Sequence, residues 1–131
     1  MNFIKGILKK DERSFFLETS PGYTIFLGTE ISAALNDRIN DELEIGIRPE
    51  NIIVSQQKNN INEASIAEVM AFENMGNEQL IYLSLKGQSL IARRSAQDLI
   101  EIGSSLSVSF PADKIIFIDP LSGKIYMTIN N

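Results

Sequence analysis

Few side chains in this 131-residue sequence are placed to do chemistry. The segment Gly46-Ile47-Arg48-Pro49-Glu50-Asn51-Ile52 sets a cation and a carboxylate on either side of a proline. Proline donates no ladder hydrogen bond and drives the residue before it into extended backbone. Arg48 and Glu50 therefore flank a rigid stop, from which they can pair with each other, with a neighbouring carboxylate or with a partner. Carboxylates also pair at Asp41/Glu42 and Glu42/Glu44. The second pair shares one strand face and could hold a hard cation. No further oxygen ligands lie nearby in sequence, so a solvated outer face is the simpler reading. Arg93-Arg94 is the only adjacent arginine pair, and successive strand residues point to opposite faces, so the two make no single patch. Ser104, Ser105, Ser107 and Ser109 could offer hydroxyls to an oxyanion or simply form a polar outer face. Leu121-Ser122-Gly123-Lys124 reads as a hairpin turn with glycine at positive φ, not as a nucleotide motif.

What is missing narrows the chemistry further. The chain has no cysteine and no histidine. Disulfides, thiolate nucleophiles, Cys-ligated metals, the usual general base and the commonest metal ligand are all excluded. Neither Gly-x4-Gly-Lys-Ser/Thr nor Gly-x-Gly-x-x-Gly occurs among the eight glycines, so no phosphate-cradling loop is present. No catalytic, cofactor-binding or metal-ligating residue is assigned. The net charge of −5 opposes nucleic-acid binding, which needs a basic footprint. No apolar run approaches the ~20 residues of a membrane helix. Lys5, Lys9 and Lys10 interrupt any signal-like stretch at the start. The expectation is a soluble, cytoplasmic domain.

The elements that carry these residues read as short strands between turns. An alternating strand, with Leu43, Ile45 and Ile47 inward and Glu42 and Glu44 outward, enters the Arg-Pro-Glu corner. The chain resumes as Ile52-Ile53-Val54. Phe15–Leu17 and Tyr23–Leu27 flank a Thr19-Ser20-Pro21-Gly22 hairpin connection. Ile66–Phe72 reads as strand or short helix. The turn 74–77 follows, then segments 79–85 and 90–93. Leu106–Phe110 alternates apolar and serine, and 114–119 and 124–129 close the chain. Glu30–Arg38 and Ser95–Glu101 read as short helices. This spacing predicts an all-β barrel or sandwich. With 44% hydrophobic residues over this length, one domain can bury a proper core.

The polar stretch 55–63 is a linker candidate between related units of about 1–54 and 64–131. At an offset of 63 positions, Leu43, Ile45 and Ile47 fall on Leu106, Val108 and Phe110. Ile52, Ile53 and Val54 fall on Ile115, Ile116 and Phe117. A proline corner follows each strand, Pro49 and Pro111, out of step by one residue. The pattern reads as an internal repeat.

Taken together, Gly-Ile-Arg-Pro-Glu-Asn-Ile (46–52), Val69-x6-Gly76-Asn77-Glu78 and Ile115-Ile116-Phe117-Ile118-Asp119-Pro120-x-Ser122-Gly123 resemble one family over essentially the whole chain. It is the C-terminal regulatory domain of the ATP-binding subunits of ABC importers, of the maltose and sugar type. The resemblance implies an OB-like (TOBE) Greek-key barrel built from two half-units. It implies a non-catalytic regulatory and dimerisation role, with Arg48, Pro49, Glu50, Gly76, Asn77 and Glu78 as interface candidates. It implies a homodimer, a nucleotide-binding domain of the same polypeptide that holds ATP and Mg, and membrane subunits reached through it. The full-length protein would be peripheral to the inner face of the plasma membrane. The charged turn 9–13 departs from the sugar type, and polyamine and iron importers carry similar domains. Two other readings stand beside this one: an oxyanion-binding module, and an OB-fold nucleic-acid binder, which buried aromatics and net charge oppose.

Overall fold

The computed structural model describes residues 1–56, 64–95 and 99–127. In chain order the strands of the first half are β1 (Asn2–Lys10), β2 (Phe15–Thr19), β3 (Thr24–Phe26), β4 (Glu42–Ile47) and β5 (Ile53–Ser55). One short helix, α1 (Ala33–Asn36), precedes β4, and a 3-10 turn at Pro49–Asn51 separates β4 from β5. The second half contributes β6 (Ala64–Asn74), β7 (Glu78–Leu85), β8 (Gln88–Ser95) and β9 (Ser105–Ser109). A second 3-10 turn at Ala112–Lys114 then leads into β10 (Ile116–Ile118) and β11 (Ile125–Met127).

Strand burial follows the two-residue period. In β1, Ile4 and Leu8 are buried while Phe3 and Lys5 are exposed. In β7, Gln79, Ile81, Leu83 and Leu85 are buried in alternation with half-buried neighbours. The inward residues of both sheets share one apolar core. Gly6 lies where β1 and β2 press together: a Cβ there would sit 2.6 Å from the Glu18 carbonyl oxygen, so only glycine fits without backbone movement.

The strands form two sheets, ordered β11-β10-β4-β1-β2-β3 and β5-β9-β6-β7-β8. Apart from β11, the two orders are one order repeated, with β5 and β10 exchanged between halves. β10 pairs antiparallel with β4 through Ile116↔Gly46, Phe117↔Ile45 and Ile118↔Glu44. β5 pairs with β9 through Ile53↔Ser109, Val54↔Val108 and Ser55↔Ser107. A shift of 63 converts each pairing into the other with the roles reversed. The same shift carries the first 3-10 turn onto the second. Pro49 is the first residue inside its turn, whereas Pro111 precedes its own. Each half thus lends its last repeated strand to the sheet of the other. The fold is an all-β, OB-like architecture of two related half-units with short helical segments.

Several local expectations change. Glu30–Arg38 shortens to α1, because Ser32 caps the helix by accepting the Leu35 N–H at 3.3 Å. The chain then leaves through a left-handed Asn40, φ 75°. The second expected helix is not observed where it can be judged: Ser95 ends β8 opposite Glu78, and residues 99–101 are irregular. Residues 96–98 lie outside the described residues, as do 57–63 of the linker candidate, while Ser55 belongs to β5. Ile66–Phe72 is strand, within β6. The serine face of β9 is not solvated throughout, since Ser107 is 7% exposed; β9 is flanked on both sides by β5 and β6. Gly123 takes φ 75° in the β10–β11 turn, as glycine at a hairpin should.

Candidate interaction surface

The Arg48-Pro49-Glu50 corner is a strand end followed by a single 3-10 turn. Arg48 keeps extended backbone (φ −74°, ψ 147°) as the cap, and Pro49 opens the turn, where a missing N–H costs nothing. The turn carries Glu50 out of strand geometry. Arg48 and Glu50 are both exposed, and among the described residues neither forms an ion pair. Of the pairings open to them, the one between Arg48 and Glu50 is not formed, and both charges face solvent. The turn packs on β8.

Beside it lies a contact the sequence reading missed. Asn2 is 7% exposed, at an inward position of β1. Its amide donates to the Ile91 carbonyl at 2.9 Å and to the Ile47 carbonyl at 3.3 Å. Its carbonyl oxygen accepts the Ile91 N–H at 2.8 Å. One side chain thereby supplies the free edge of β8 with the partners another strand would give. A polar residue at an inward position of an alternating strand is the signal that exposes such a role.

β8 also connects to the other candidates. Arg93 approaches Glu78 at 3.8 Å, both side chains nearly half exposed, a pair worth below about 1 kcal/mol. Arg94 turns to the other face, where its Nε donates to Gln79 at 3.3 Å. Gly76 and Asn77 are exposed at the tip of the β6–β7 hairpin, with Gly76 at φ 77°. Glu42 is exposed and Glu44 half-buried on the outer face of β4. Among the described residues no three carboxylates gather into a metal-holding cluster.

The densest polar cluster ties the two halves together. Arg38, just after α1, donates to Asp41 at 2.7 Å, to Asp119 at 3.0 Å and to the Tyr126 hydroxyl at 3.2 Å. Its guanidinium also lies 5.5 Å from the Tyr126 ring centre. The Asp41 carboxylate, above all, holds this guanidinium in its charged form. Asp119 is held below its ordinary 3.8, first by the Ser122 N–H, then by the Leu121 N–H, with Arg38 adding to both. Arg38→Met is expected to cost about 1–2 kcal/mol and to raise proteolytic nicking at the β10–β11 turn. Limited proteolysis beside a thermal melt checks this.

The lowered Asp119 value also fixes the sign of a pH effect. A depressed folded value stabilises the fold above the unfolded carboxylate range, and this contribution is lost as pH falls through the folded value. Melting temperature should therefore drop between about pH 5 and 3, and Asp119→Asn should flatten that drop. An unchanged slope in the variant would contradict the assignment.

Among the described residues, three shallow clefts have volumes of about 290, 280 and 300 Å³. The first lies between Phe26, Ile53, Phe110 and Pro111, the second beside Glu101 and Ser104, the third beside Asp11 and Phe16. No basic side chain lines any of the three, and two of them carry a carboxylate.

Two exchanged half-units of OB-like topology with exposed corners define the β-module. Among solved structures, the cytoplasmic molybdate-binding protein ModG shares the fold, with a TM-score of 0.67 over 88% of this chain and 94% of that one, at 14% identity. The TOBE domain model matches residues 45–118 and the MalK OB fold domain model residues 1–52. The chain belongs to the TOBE domain family. It is 33% identical over 125 residues to the sn-glycerol-3-phosphate import ATP-binding protein of Yersinia enterocolitica, covering 94% of this chain. It is 28% identical over 131 residues to the xylose/arabinose import ATP-binding protein of Haloferax volcanii, covering 92% of this chain. The chain spans about a third of the length of these relatives, 33% and 34%.

Proposed function

We propose that the chain is the non-catalytic C-terminal regulatory and dimerisation domain of the ATP-binding subunit of an ABC importer that takes up sugars. The observation that carries this reading is the run of two family matches from residue 1 to 118, in order, beside relatives that are import ATP-binding proteins. Two such domains meet about a twofold axis and hold the ATPase subunits together while the nucleotide-binding domains open and close. ATP and Mg bind in those domains, and the membrane subunits are reached through them. In the full-length protein the domain lies on the cytoplasmic side, peripheral to the membrane. Among the described residues no helix is long and apolar enough to cross one.

Arg48, Pro49 and Glu50 suit a contact role because a rigid turn presents two exposed charges that form no ion pair among the described residues. Gly76 and Asn77 form a second exposed corner, beside the half-buried Glu78. Ser109 lines the first cleft and Ser104 and Ser105 the second, but no cation lines any of the three, and Glu101 and Asp11 oppose an anion in two of them.

The native polypeptide is the test. Mass spectrometry of the protein from its own cells is expected to find this sequence at the end of a chain about three times as long, carrying a Walker loop. A free chain of 14.6 kDa that co-purifies with no ATP-binding protein would overturn the reading.

A further inference from the structure

The third cleft, of about 300 Å³, is lined by Asp11, Ser14, Phe16, Thr24 and Phe26. It joins the β1–β2 turn to β3, the strand that ends the first sheet. Strand alternation builds its floor. Phe15, Leu17, Ile25 and Leu27 are buried in the core, so Phe16 and Phe26 take the outer side of β2 and β3. They are cross-strand partners, a relation that sets Cβ atoms about 5 Å apart, and both are half-buried. Polar groups rim this floor. Asp11 is fixed by its turn: Oδ1 accepts the Arg13 N–H at 3.0 Å and the Ser14 N–H and hydroxyl at 2.9 Å each. The Arg13 N–H, then Ser14, hold this carboxyl below its ordinary 3.8, so it is ionised at neutral pH. Among the described residues neither Asp11 Oδ2 nor the exposed Thr24 hydroxyl has a hydrogen-bond partner. The nearby lysines are engaged elsewhere. Lys9 Nζ donates to Asn40 at 3.4 Å, and Lys10 Nζ lies 5.4 Å from the Phe15 ring centre.

An aromatic floor with free acceptors at its rim suits a ligand that is apolar on its face and hydroxylated around its edge. A sugar ring has that form. An ionised carboxylate accepts hydroxyl protons in short, strong bonds, and a threonine hydroxyl both donates and accepts. Other ligands fit worse. An inorganic oxyanion needs donors where Asp11 presents a charge. Single-stranded nucleic acid also stacks on aromatics, but its phosphates need a cationic groove, and no cation lines this cleft. From this arrangement we infer that the Phe16–Phe26 cleft is a binding site for a neutral sugar. One ring stacks on the two phenylalanines, and its hydroxyls are held by Asp11 Oδ2 and Thr24. The volume, at the low end for small-molecule sites, matches so small a ligand. The inference stands on the cleft and not on the import reading.

Titration of the isotope-labelled 131-residue chain with D-xylose, D-glucose and maltose, followed by its amide resonances, tests it. At least one of these sugars is expected to give saturable shifts at residues 11–16 and 24–26. The dissociation constant should be about 1–10 mM, the strength of a small, half-open site. Asp11→Asn leaves an oxygen for the turn but puts a neutral amide in place of the charged acceptor, and should weaken binding by about fivefold. Phe16→Ala removes half of the floor and should weaken it by about tenfold. Circular dichroism checks that both variants fold; should Phe16→Ala fail to, Asp11→Asn decides alone. No saturable shift with any of the three sugars up to about 100 mM, or shifts that map elsewhere, overturns the inference. So does an Asp11→Asn variant that binds as tightly as the wild type. An oligothymidylate that moves these amides where the sugars do not assigns the cleft to nucleic acid and overturns it too. Each of these failures leaves the import reading standing, since that reading is tested on the native polypeptide.

Discussion

Phe117→Ala is expected to destabilise the entire chain by about 3–5 kcal/mol, the range for emptying a large buried aromatic position. Phe117 is 0% exposed and lies between Ile45 on β4 and Tyr126 on β11. Its strand belongs by sequence to the second half but completes the sheet of the first. A cavity there therefore weakens the junction on which both halves depend. Domains of this size are stable by about 5–15 kcal/mol, so the loss is a large fraction of the total. Urea unfolding should remain one transition in the variant, seen alike by far-UV circular dichroism and by tyrosine fluorescence. Tyr23 and Tyr126 report on one sheet and its surroundings, Tyr82 on the other. Two separated transitions would show that the halves fold independently. The symmetry-related Val54 is only half-buried. Val54→Ala is accordingly expected to cost less, about 1 kcal/mol.

Asn2→Ala comes second, at about 2–3 kcal/mol. The side chain is small, but it makes three hydrogen bonds, to Ile47 O and to both backbone groups of Ile91. Removing it strands backbone groups that are partly or fully buried, and each such loss carries a desolvation penalty of about 1–3 kcal/mol, softened where water can enter. Asn2→Asp separates the components. A carboxylate can still accept the Ile91 N–H, but it presents no donor to the two carbonyls and places a charge in a buried site. It should be no better than alanine. Amide exchange at Ile91 should accelerate in both variants by more than the global change in stability accounts for. Exchange at Ile91 that follows only the global change would contradict the clamp.

These residues also show what could be read from the chain before the fold was known. The strands were legible because alternation such as Leu43-Glu44-Ile45 states which face is buried. The 63-residue repeat was legible because Leu106, Val108 and Phe110 restate Leu43, Ile45 and Ile47. The exchange of β5 and β10 was not. Pairing across such separations leaves no local mark, and an apolar Ile115-Ile116-Phe117 fits either sheet. The first helical expectation shrank where composition outran geometry. Residues 30–38 contain helix formers, yet Ser32 starts the helix late and only Leu35 is buried to hold it.

The site was legible in part. The sequence marked Arg48 and Glu50 as unusual, and both are exposed at a rigid turn. It did not mark Arg38 or Asn2, because their partners Asp119 and Ile91 lie more than 80 positions away. The row Phe3-Gly46-Ile116 on the outer side of its sheet was hidden for a related reason. Alternation in β1 tells which side Phe3 takes, but not that Ile116 and Ile125 lie on that side too.

The mass of the wild-type chain in solution is the most direct test of a dimerising regulatory domain. Sedimentation equilibrium across a rising concentration series should move from 14.6 kDa toward twice that mass, and stop there. A chain that stays at 14.6 kDa to the highest concentration, while fully folded by circular dichroism, would contradict it.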